Sequence, residues 1–156
     1  MITEAEMLAL TRELARVKSR QNIKAALTLY HPNIELNSPG FESISRGAAA
    51  VEKNLQVFFA LFPDYRVTLA DYACKGPMLL ATGEVCVTPQ IPGHPCPQVT
   101  VPVFLELLFE GERIIKEIFF LDVGLVCKRA GITPAQLRAA ALQASQSISM
   151  QELQAC

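Results

Sequence analysis

The chain has 156 residues, of which 51% are hydrophobic and 19% are charged, and its formal net charge is −1 at pH 7. This length fits one domain of about 100–200 residues, and the high apolar content excludes a disordered protein. Because 14 Lys and Arg residues balance 15 Asp and Glu residues, no basic field predicts binding to nucleic acid or to an anionic membrane.

The sequence also predicts neither a membrane span nor a secretion signal. The longest apolar stretch, residues 114–126, contains three charged residues, whereas a span needs about 18 apolar residues in a row. Glu4 and Glu6 occupy the place of the basic region of a signal peptide.

Five cysteines without a C-x-x-C pair favour reduced thiols in a cytoplasmic protein. His31 and His94 have no cysteine at ligand spacing, so we predict no metal site.

Helical periodicity dominates the first part of the chain. Thr3 and Glu6 form a capping-box pattern, which predicts the start of a first helix. A second helix is predicted between a cap at Ser19 and a stop at Pro32. A third helix is predicted over residues 48–62, where apolar residues recur at intervals of three and four.

A period of two replaces the helical period near residue 63, which predicts strands. After a short early strand, the pattern indicates long strands over residues 65–74, 78–88, 99–109 and 113–121. Four prolines between residues 88 and 99 predict a long loop, because proline cannot complete a sheet ladder. A tight hairpin is predicted at Glu110-Gly111. A short helical turn near residues 123–130 and a last helix over 135–153 complete the chain.

The separation of helices from antiparallel strands predicts an α+β fold. We expect a curved antiparallel sheet wrapped against three N-terminal helices, with an extra C-terminal helix. The predicted organisation is a main domain over residues 1–132 and a helical extension over residues 133–156.

Several short motifs resemble the SnoaL-like polyketide cyclase branch of the nuclear-transport-factor-2-like superfamily. They are Leu29-Tyr30-His31-Pro32-Asn33-Ile34-Glu35, Phe62-Pro63-Asp64-Tyr65, Phe109-Glu110-Gly111-Glu112-Arg113-Ile114, and Asp122 with the glycine at position 131. The resemblance extends over about residues 8–132. It implies a cone-shaped domain with an apolar cavity open at one end, and cofactor-independent chemistry on a small molecule.

The ketosteroid-isomerase relatives in this superfamily use a carboxylate base and two hydrogen-bond donors that stabilise an oxyanion. The matching positions here are Ser38, Leu14 and Phe104. Ser38 is not a carboxylate, and neither Leu14 nor Phe104 can donate a hydrogen bond. An oxyanion hole requires preorganised donors, so this isomerase mechanism is excluded on the residues.

Asp122 is the first candidate catalytic residue. The resemblance implies that an aspartate at the end of the last strand transfers protons during ring closure. Asp122 follows an apolar run, and desolvation there would raise its pKa toward the range used in acid–base catalysis. The alternative is an N-cap, because aspartate is favoured at the start of a helix. Both roles stay open.

Glu106 and Glu117 are the other candidate catalytic residues. A two-residue hairpin predicts that both face the same side of the sheet, together with Phe104 and Phe119. Two neighbouring carboxylates on an apolar face would raise the pKa of one of them. The alternative is that this face is solvated or paired across a dimer interface. A bulge would bring Asp122 to the same face.

Candidate ligand-binding residues are aromatic, with one histidine. Tyr30, Phe58, Phe104 and Phe119 lie on apolar patterns that can line a cavity, although such a tyrosine is often an ordinary core residue. His94 lies in the proline-rich loop, which can gate a cavity mouth, although a surface histidine is the simpler interpretation.

Three functions remain on the sequence alone. The first is a cofactor-independent cyclase, isomerase or lyase that acts on a small apolar carbonyl compound by acid–base chemistry. The second is a carrier of a hydrophobic ligand, and the third is a protein-interaction domain. No glycine-rich phosphate loop is present, so we predict no cofactor. The strand over residues 99–109 is apolar on both faces, which predicts a homodimer through the sheet.

Overall fold

A computed structural model describes residues 1–155 as five α-helices and one six-stranded sheet. Cys156, one of the five cysteines and the end of the predicted extension, lies outside the described residues. The helices are α1 (Glu4–Lys18), α2 (Ile23–Leu29), α3 (Ala48–Leu61), α4 (Val123–Ala130) and α5 (Pro134–Gln154). The strands are β1 (Tyr30–Ser38), β2 (Ser43–Arg46), β3 (Arg66–Lys75), β4 (Met78–Val87), β5 (Val99–Glu110) and β6 (Arg113–Leu121).

The sheet has the order β2-β1-β6-β5-β4-β3, and the predicted α+β class is confirmed. The four long strands β3 to β6 pair antiparallel, as predicted. The sheet as a whole is mixed, because β1 pairs parallel with β6. A strand that is joined to its neighbour by a long crossover, here through α3 and four strands, is not forced into the antiparallel direction of a hairpin.

The region around α2 differs from the prediction. Asn22 caps α2 through its side-chain oxygen, which accepts a hydrogen bond from the Ala25 amide. The Ser19 hydroxyl instead accepts a hydrogen bond from the backbone of Val67 in β3. The helix ends at Leu29, so Pro32 lies inside β1. The β1–β6 register is irregular between residues 30 and 35, and such an irregular stretch tolerates a proline.

The hydrophobic core lies between the concave face of the sheet and the helices. Alternate residues of β5 are buried along its whole length, because a strand points successive side chains to opposite faces. α1 contributes one buried stripe, which is formed by Met7, Thr11, Leu14 and Lys18 together with Val17. No helix within residues 1–155 is long and apolar enough to cross a membrane.

The proline-rich connection between β4 and β5 is irregular, as predicted, and is held in place by one carboxylate. Asp64 accepts hydrogen bonds from the Thr88 amide at 2.7 Å, the Thr88 hydroxyl at 2.6 Å and the Gln98 amide group at 3.0 Å. Burial acts to raise the pKa of Asp64, but these hydrogen bonds prevail and lower it.

The C-terminal helix begins at the predicted place. Thr133 forms a capping box with Gln136, and Pro134 occupies the first helical position. α5 packs against α3 and α4, and the Lys53 ammonium of α3 donates a hydrogen bond to the Ser149 hydroxyl at 2.8 Å. The division of the chain between residues 132 and 133 stays a prediction.

Candidate functional site

Among residues 1–155, Glu117 is the one carboxylate whose side chain points from the sheet into the core. Its side chain is 1% exposed. Leu107 of β5 and Leu36 of β1 are its partners in the sheet register. This orientation results from a bulge, because Ile115 has no partner on β5 and shifts the register of the hairpin by one residue. A shift of one residue exchanges the two faces of a strand.

Two side chains donate hydrogen bonds to the Glu117 carboxylate. The Lys18 ammonium lies 2.8 Å from Oε1, and the Tyr30 hydroxyl donates to Oε2. Lys18 ends α1, four residues after Leu14 on the same buried stripe, which directs its side chain into the core. Tyr30 begins β1 and is 2% exposed. Three elements that are distant in sequence therefore meet at one carboxylate.

The electrostatics of this centre keep the nearby tyrosines protonated. Burial, the charge of Glu117 and the hydrogen bond to it raise the pKa of Tyr30 well above its ordinary value. Burial and the same charge also raise the pKa of Tyr65. Tyr30 is therefore a hydrogen-bond donor throughout the physiological pH range. Lys18 and Glu117 form the one ion pair among the described residues in which both side chains are less than about a tenth exposed.

A small internal cavity of about 20 Å³ adjoins Lys18. It has room for about one water molecule. Its polar lining comes from Lys18, Ser38, Asn54 and Tyr65, and its apolar lining comes from Leu36, Leu55, Phe58, Phe59 and Phe119. Lys18 is the one charged side chain in this lining. The Lys18 nitrogen also lies 5.8 Å from the centres of both the Tyr30 and the Phe119 rings, within the range of a cation–π interaction.

A larger groove of about 800 Å³ lies between α3, α5 and the segment that follows β1. Its lining includes Phe41, Val57 and Leu61 as apolar residues and Lys53 and Arg138 as cations. The groove and the internal cavity have three lining residues in common, Ser38, Asn54 and Phe58. The two spaces therefore adjoin at these three residues.

Phe58 occupies the centre of an aromatic cluster at this boundary. Its ring centre lies 5.1 Å from that of Phe62, 5.2 Å from that of Tyr65 and 5.8 Å from that of Phe119. Aromatic rings at these separations make favourable edge contacts. Of the predicted ligand-binding residues, Phe58 and Phe119 line the cavity, whereas Tyr30 does not line it and binds the carboxylate that holds Lys18.

The predicted pairing of Glu106 with Glu117 on one face is wrong. Glu106 is opposite Ile118 and Glu117 is opposite Leu107, so the two carboxylates lie on opposite faces. The prediction failed because the hairpin contains the bulge at Ile115, which alternation alone does not reveal. Phe104 was also predicted to line the cavity, and this prediction is wrong. It lies on the outer face and is 55% exposed.

Asp122 is the N-cap of α4, which is one of the two roles that the sequence left open. It is exposed, and its carboxylate accepts a hydrogen bond from the Leu125 amide at 2.9 Å, which caps α4. Asp122 lines neither the groove nor the internal cavity. Its catalytic role stays a prediction that this geometry does not support, because an acid or base must reach the reacting atoms.

His94 lies in the proline-rich loop, in a surface concavity formed by residues 88–96. It lines neither the groove nor the internal cavity. Within residues 1–155, no group of three or more His, Cys, Asp or Glu side chains is arranged to hold a metal ion.

Glu117 and Tyr30 were among the site residues that the sequence predicted, and Lys18 was not. The available signal was a lysine at a position where the apolar stripe of α1 continues. A lysine there must either reach solvent or meet a buried counter-charge.

Solved structures share this fold at low sequence identity. A protein from Jannaschia sp. CCS1 that is named as a SnoaL-like polyketide cyclase superposes with a TM-score of 0.73 at 15% identity, covering 84% of this chain and 95% of that one. A protein from Acidithiobacillus ferrooxidans that is named as a polyketide cyclase gives 0.71 at 20% identity, covering 84% and 98%. An NTF2-like protein of unknown function from Burkholderia pseudomallei gives 0.70 at 14% identity, covering 80% and 97%.

No curated protein matches the sequence significantly. The SnoaL-like domain family matches it over residues 11–117. This segment begins within α1 and ends at Glu117 itself, so it contains all three members of the buried centre. The chain belongs to the SnoaL-like domain family.

Proposed function

We propose that the protein is a cofactor-independent enzyme that transfers protons to and from a small apolar carbonyl compound, as a cyclase, isomerase or lyase does. The observation that carries this proposal is the buried Lys18–Glu117 ion pair beside the cavity. Similarity to proteins named as polyketide cyclases supports the same class of chemistry.

Lys18 is the group that we propose touches the ligand. An ammonium group has three N–H donors, and one hydrogen bond from Lys18 to a described residue is present, to Glu117. The other donors can bind a carbonyl oxygen and stabilise the negative charge that develops when a neighbouring carbon loses a proton. Such charge stabilisation by a preorganised donor in a dry site is a large catalytic effect.

Glu117 and Tyr30 are positioning residues in this proposal. Glu117 does not line the cavity, so it acts through Lys18, whose proton it can accept or return along the 2.8 Å hydrogen bond. Tyr30 stays protonated because its pKa is raised, and its hydroxyl holds the second oxygen of the carboxylate. Glu106 and Asp122 have no part in this centre.

The proposal is tested by exchange of the α-protons of 2-tetralone, an apolar ketone, for deuterium in D₂O, followed by NMR. We expect the protein to accelerate the exchange, and Lys18→Met to lower the protein-dependent rate by about 10²–10⁴, the usual worth of acid–base catalysis. Tyr30→Phe keeps the ring and removes only the hydroxyl, so it tests the centre if Lys18→Met folds poorly. Glu112→Gln at the exposed hairpin tip is the matched control. Equal rates in all variants would refute the proposal.

A carrier function is the second candidate. The observation that favours it is the difference in size between the groove, about 800 Å³, and the cavity beside Lys18, about 20 Å³. A carrier would bind 2-tetralone in the groove, and neither Lys18→Met nor Tyr30→Phe would alter the exchange rate.

We also propose that the protein forms a homodimer through its outer sheet face. Leu80, Phe104 and Phe120 are 44%, 55% and 46% exposed there. Phe104 is directly opposite Phe120 on β6, and Leu80 belongs to the adjacent row. Exposed apolar side chains grouped on one face favour association, and a twofold dimer is the commonest form.

A further inference from the structure

We infer that Lys18 is a nucleophile that condenses with the carbonyl group of the ligand to form a covalent imine. This inference rests on the proposed function, because it specifies the bond that forms in the same site. The class of ligand it implies is an apolar aldehyde or ketone whose carbonyl group lies near one end.

The surroundings of Lys18 carry the inference. Its side chain is 9% exposed, although a lysine is almost never buried without a specific partner. Lys18 lines the internal cavity, and its nitrogen lies 5.8 Å from the centres of the Tyr30 and Phe119 rings. A lysine amine in a desolvated pocket is the usual nucleophile for a carbonyl compound.

Attack on a carbonyl requires a neutral amine, and Glu117 can provide it. The proton passes from the Lys18 nitrogen to Oε1 along the 2.8 Å hydrogen bond. The pair then consists of an amine and a carboxylic acid, and a neutral pair avoids the cost of burying two charges. The Tyr30 hydroxyl continues to hold Oε2 during this transfer.

The condensation balances with these groups alone. The Lys18 nitrogen forms a bond to the carbonyl carbon while the carbon–oxygen π bond breaks, and the oxygen takes a proton from that nitrogen to become a hydroxyl group. Glu117 returns the proton that it holds to the Lys18 nitrogen, which passes a proton to the hydroxyl group as that group leaves as water. The net change is ammonium plus carbonyl to iminium plus water. No oxidant or reductant is needed.

The product preserves the electrostatics of the site. The iminium carries the same single positive charge as the ammonium that it replaces, so the buried Glu117 carboxylate neutralises both. The faces of Tyr30 and Phe119 stabilise either cation. The centre therefore accepts a covalent intermediate without creating an unpaired buried charge.

The shape of the two spaces restricts the ligand. The cavity beside Lys18 holds about 20 Å³, whereas the adjoining groove holds about 800 Å³. The body of the ligand fits the groove, and its carbonyl end has to reach Lys18 past Ser38, Asn54 and Phe58, which line both spaces. This requirement favours an aldehyde or an unhindered ketone over a carbonyl group at the centre of a fused ring system.

Reductive trapping tests the inference on the unaltered protein. The protein is incubated with 6-methoxy-2-naphthaldehyde and sodium cyanoborohydride, which reduces an iminium to a stable secondary amine, and the adduct is located by peptide mass spectrometry. We expect one adduct per chain at Lys18, formed at least about tenfold faster than at exposed Lys24, because the site holds the carbonyl beside the amine. Lys18→Met should abolish this adduct, and Lys24→Met should leave it unchanged.

The outcomes separate this inference from the proposed function. Exchange of 2-tetralone protons without a Lys18 adduct would overturn the imine and leave the acid–base enzyme standing. An adduct at Lys18 without any exchange would support the imine and refute that enzyme as stated. Adducts spread evenly over the exposed lysines, or concentrated at Lys53 in the groove, would overturn the imine.

Discussion

The two faces of the β5–β6 hairpin each carry one glutamate, and the two side chains have opposite environments. On the concave face, Glu117 is 1% exposed and is held by Lys18 and Tyr30. On the convex face, Glu106 is half-buried between Leu80 and Ile118 in the register. It makes no ion pair with any residue in the part of the chain that the structure describes. An interior carboxylate requires a counter-charge or hydrogen-bond donors from the protein, because its desolvation is costly. A carboxylate on the outer face can be solvated by water instead.

The largest expected effect is on stability, when the charge of the interior glutamate is removed. Glu117→Gln leaves the Lys18 ammonium buried without a counter-charge, and we expect a loss of about 3–5 kcal/mol in the free energy of unfolding. Glu106→Gln should change it by no more than about 0.5 kcal/mol. Urea denaturation measures both.

The double variant Lys18→Met with Glu117→Leu is the control for this prediction. It removes both charges and keeps the volume, so it should recover most of the stability that Glu117→Gln loses. Similar small losses for Glu117→Gln and Glu106→Gln would show that the interior pair is solvated and that the contrast is incorrect.

The outer face offers the second prediction, which concerns assembly. Phe104→Asp places a charge among these apolar side chains and should convert the proposed dimer to a monomer in analytical ultracentrifugation, while the circular dichroism spectrum is retained. Met150 is 61% exposed on α5, and Met150→Asp should leave the dimer intact. A wild-type protein that is monomeric at micromolar concentration would contradict the proposed dimer.

A third carboxylate, Asp122, directly follows β6 and differs from both glutamates because it caps a helix. Asp122→Ala removes the cap of α4 and should cost about 0.5–2 kcal/mol, whereas Asp122→Asn should be nearly neutral. Neither variant should alter the exchange rate of 2-tetralone at a temperature where both are folded. A large fall in that rate with unchanged stability would support the predicted catalytic role of Asp122 against the Lys18 centre.

The smallest effect concerns Asp64, a partly exposed carboxylate that accepts hydrogen bonds without a counter-ion. Because its pKa is lowered in the folded state below the unfolded value of 3.8, its contribution to stability is present above that pH and is lost as the pH falls through the folded pKa. Wild type should therefore exceed Asp64→Asn in stability at pH 7, and the difference should close in acid. A difference that is constant between pH 7 and pH 2 would refute this assignment.

Much of the fold follows from local patterns in the sequence. The capping box at Thr3 and the alternation along β5 each depend on residues close in the chain, and both appear as predicted. The strand β2 and the parallel pairing of β1 with β6 were not predicted. Both depend on contacts between segments that are far apart, which periodicity does not encode.

The site was harder to predict because two non-local facts determine it. The bulge at Ile115 moves Glu117 to the concave face, and no turn signal in the hairpin reveals a bulge that lies beyond the turn. The role of Lys18 is visible only in the folded structure, where the ammonium at the end of α1 reaches Glu117 of β6. Tyr30 was among the predicted residues because a tyrosine on an apolar stripe is a local signal.

The ion pair joins residues 99 positions apart in the chain, and this separation has a consequence for folding. Loops of this length close slowly relative to local helix and hairpin formation. During synthesis α1 emerges from the ribosome long before β6, so the Lys18 ammonium remains hydrated until residue 117 is available to receive it. The sheet is completed in its middle by β6, between β1 and β5. The centre is therefore completed only once β6 is in place, and a nascent chain that lacks β6 leaves the lysine at the end of α1 without its counter-charge.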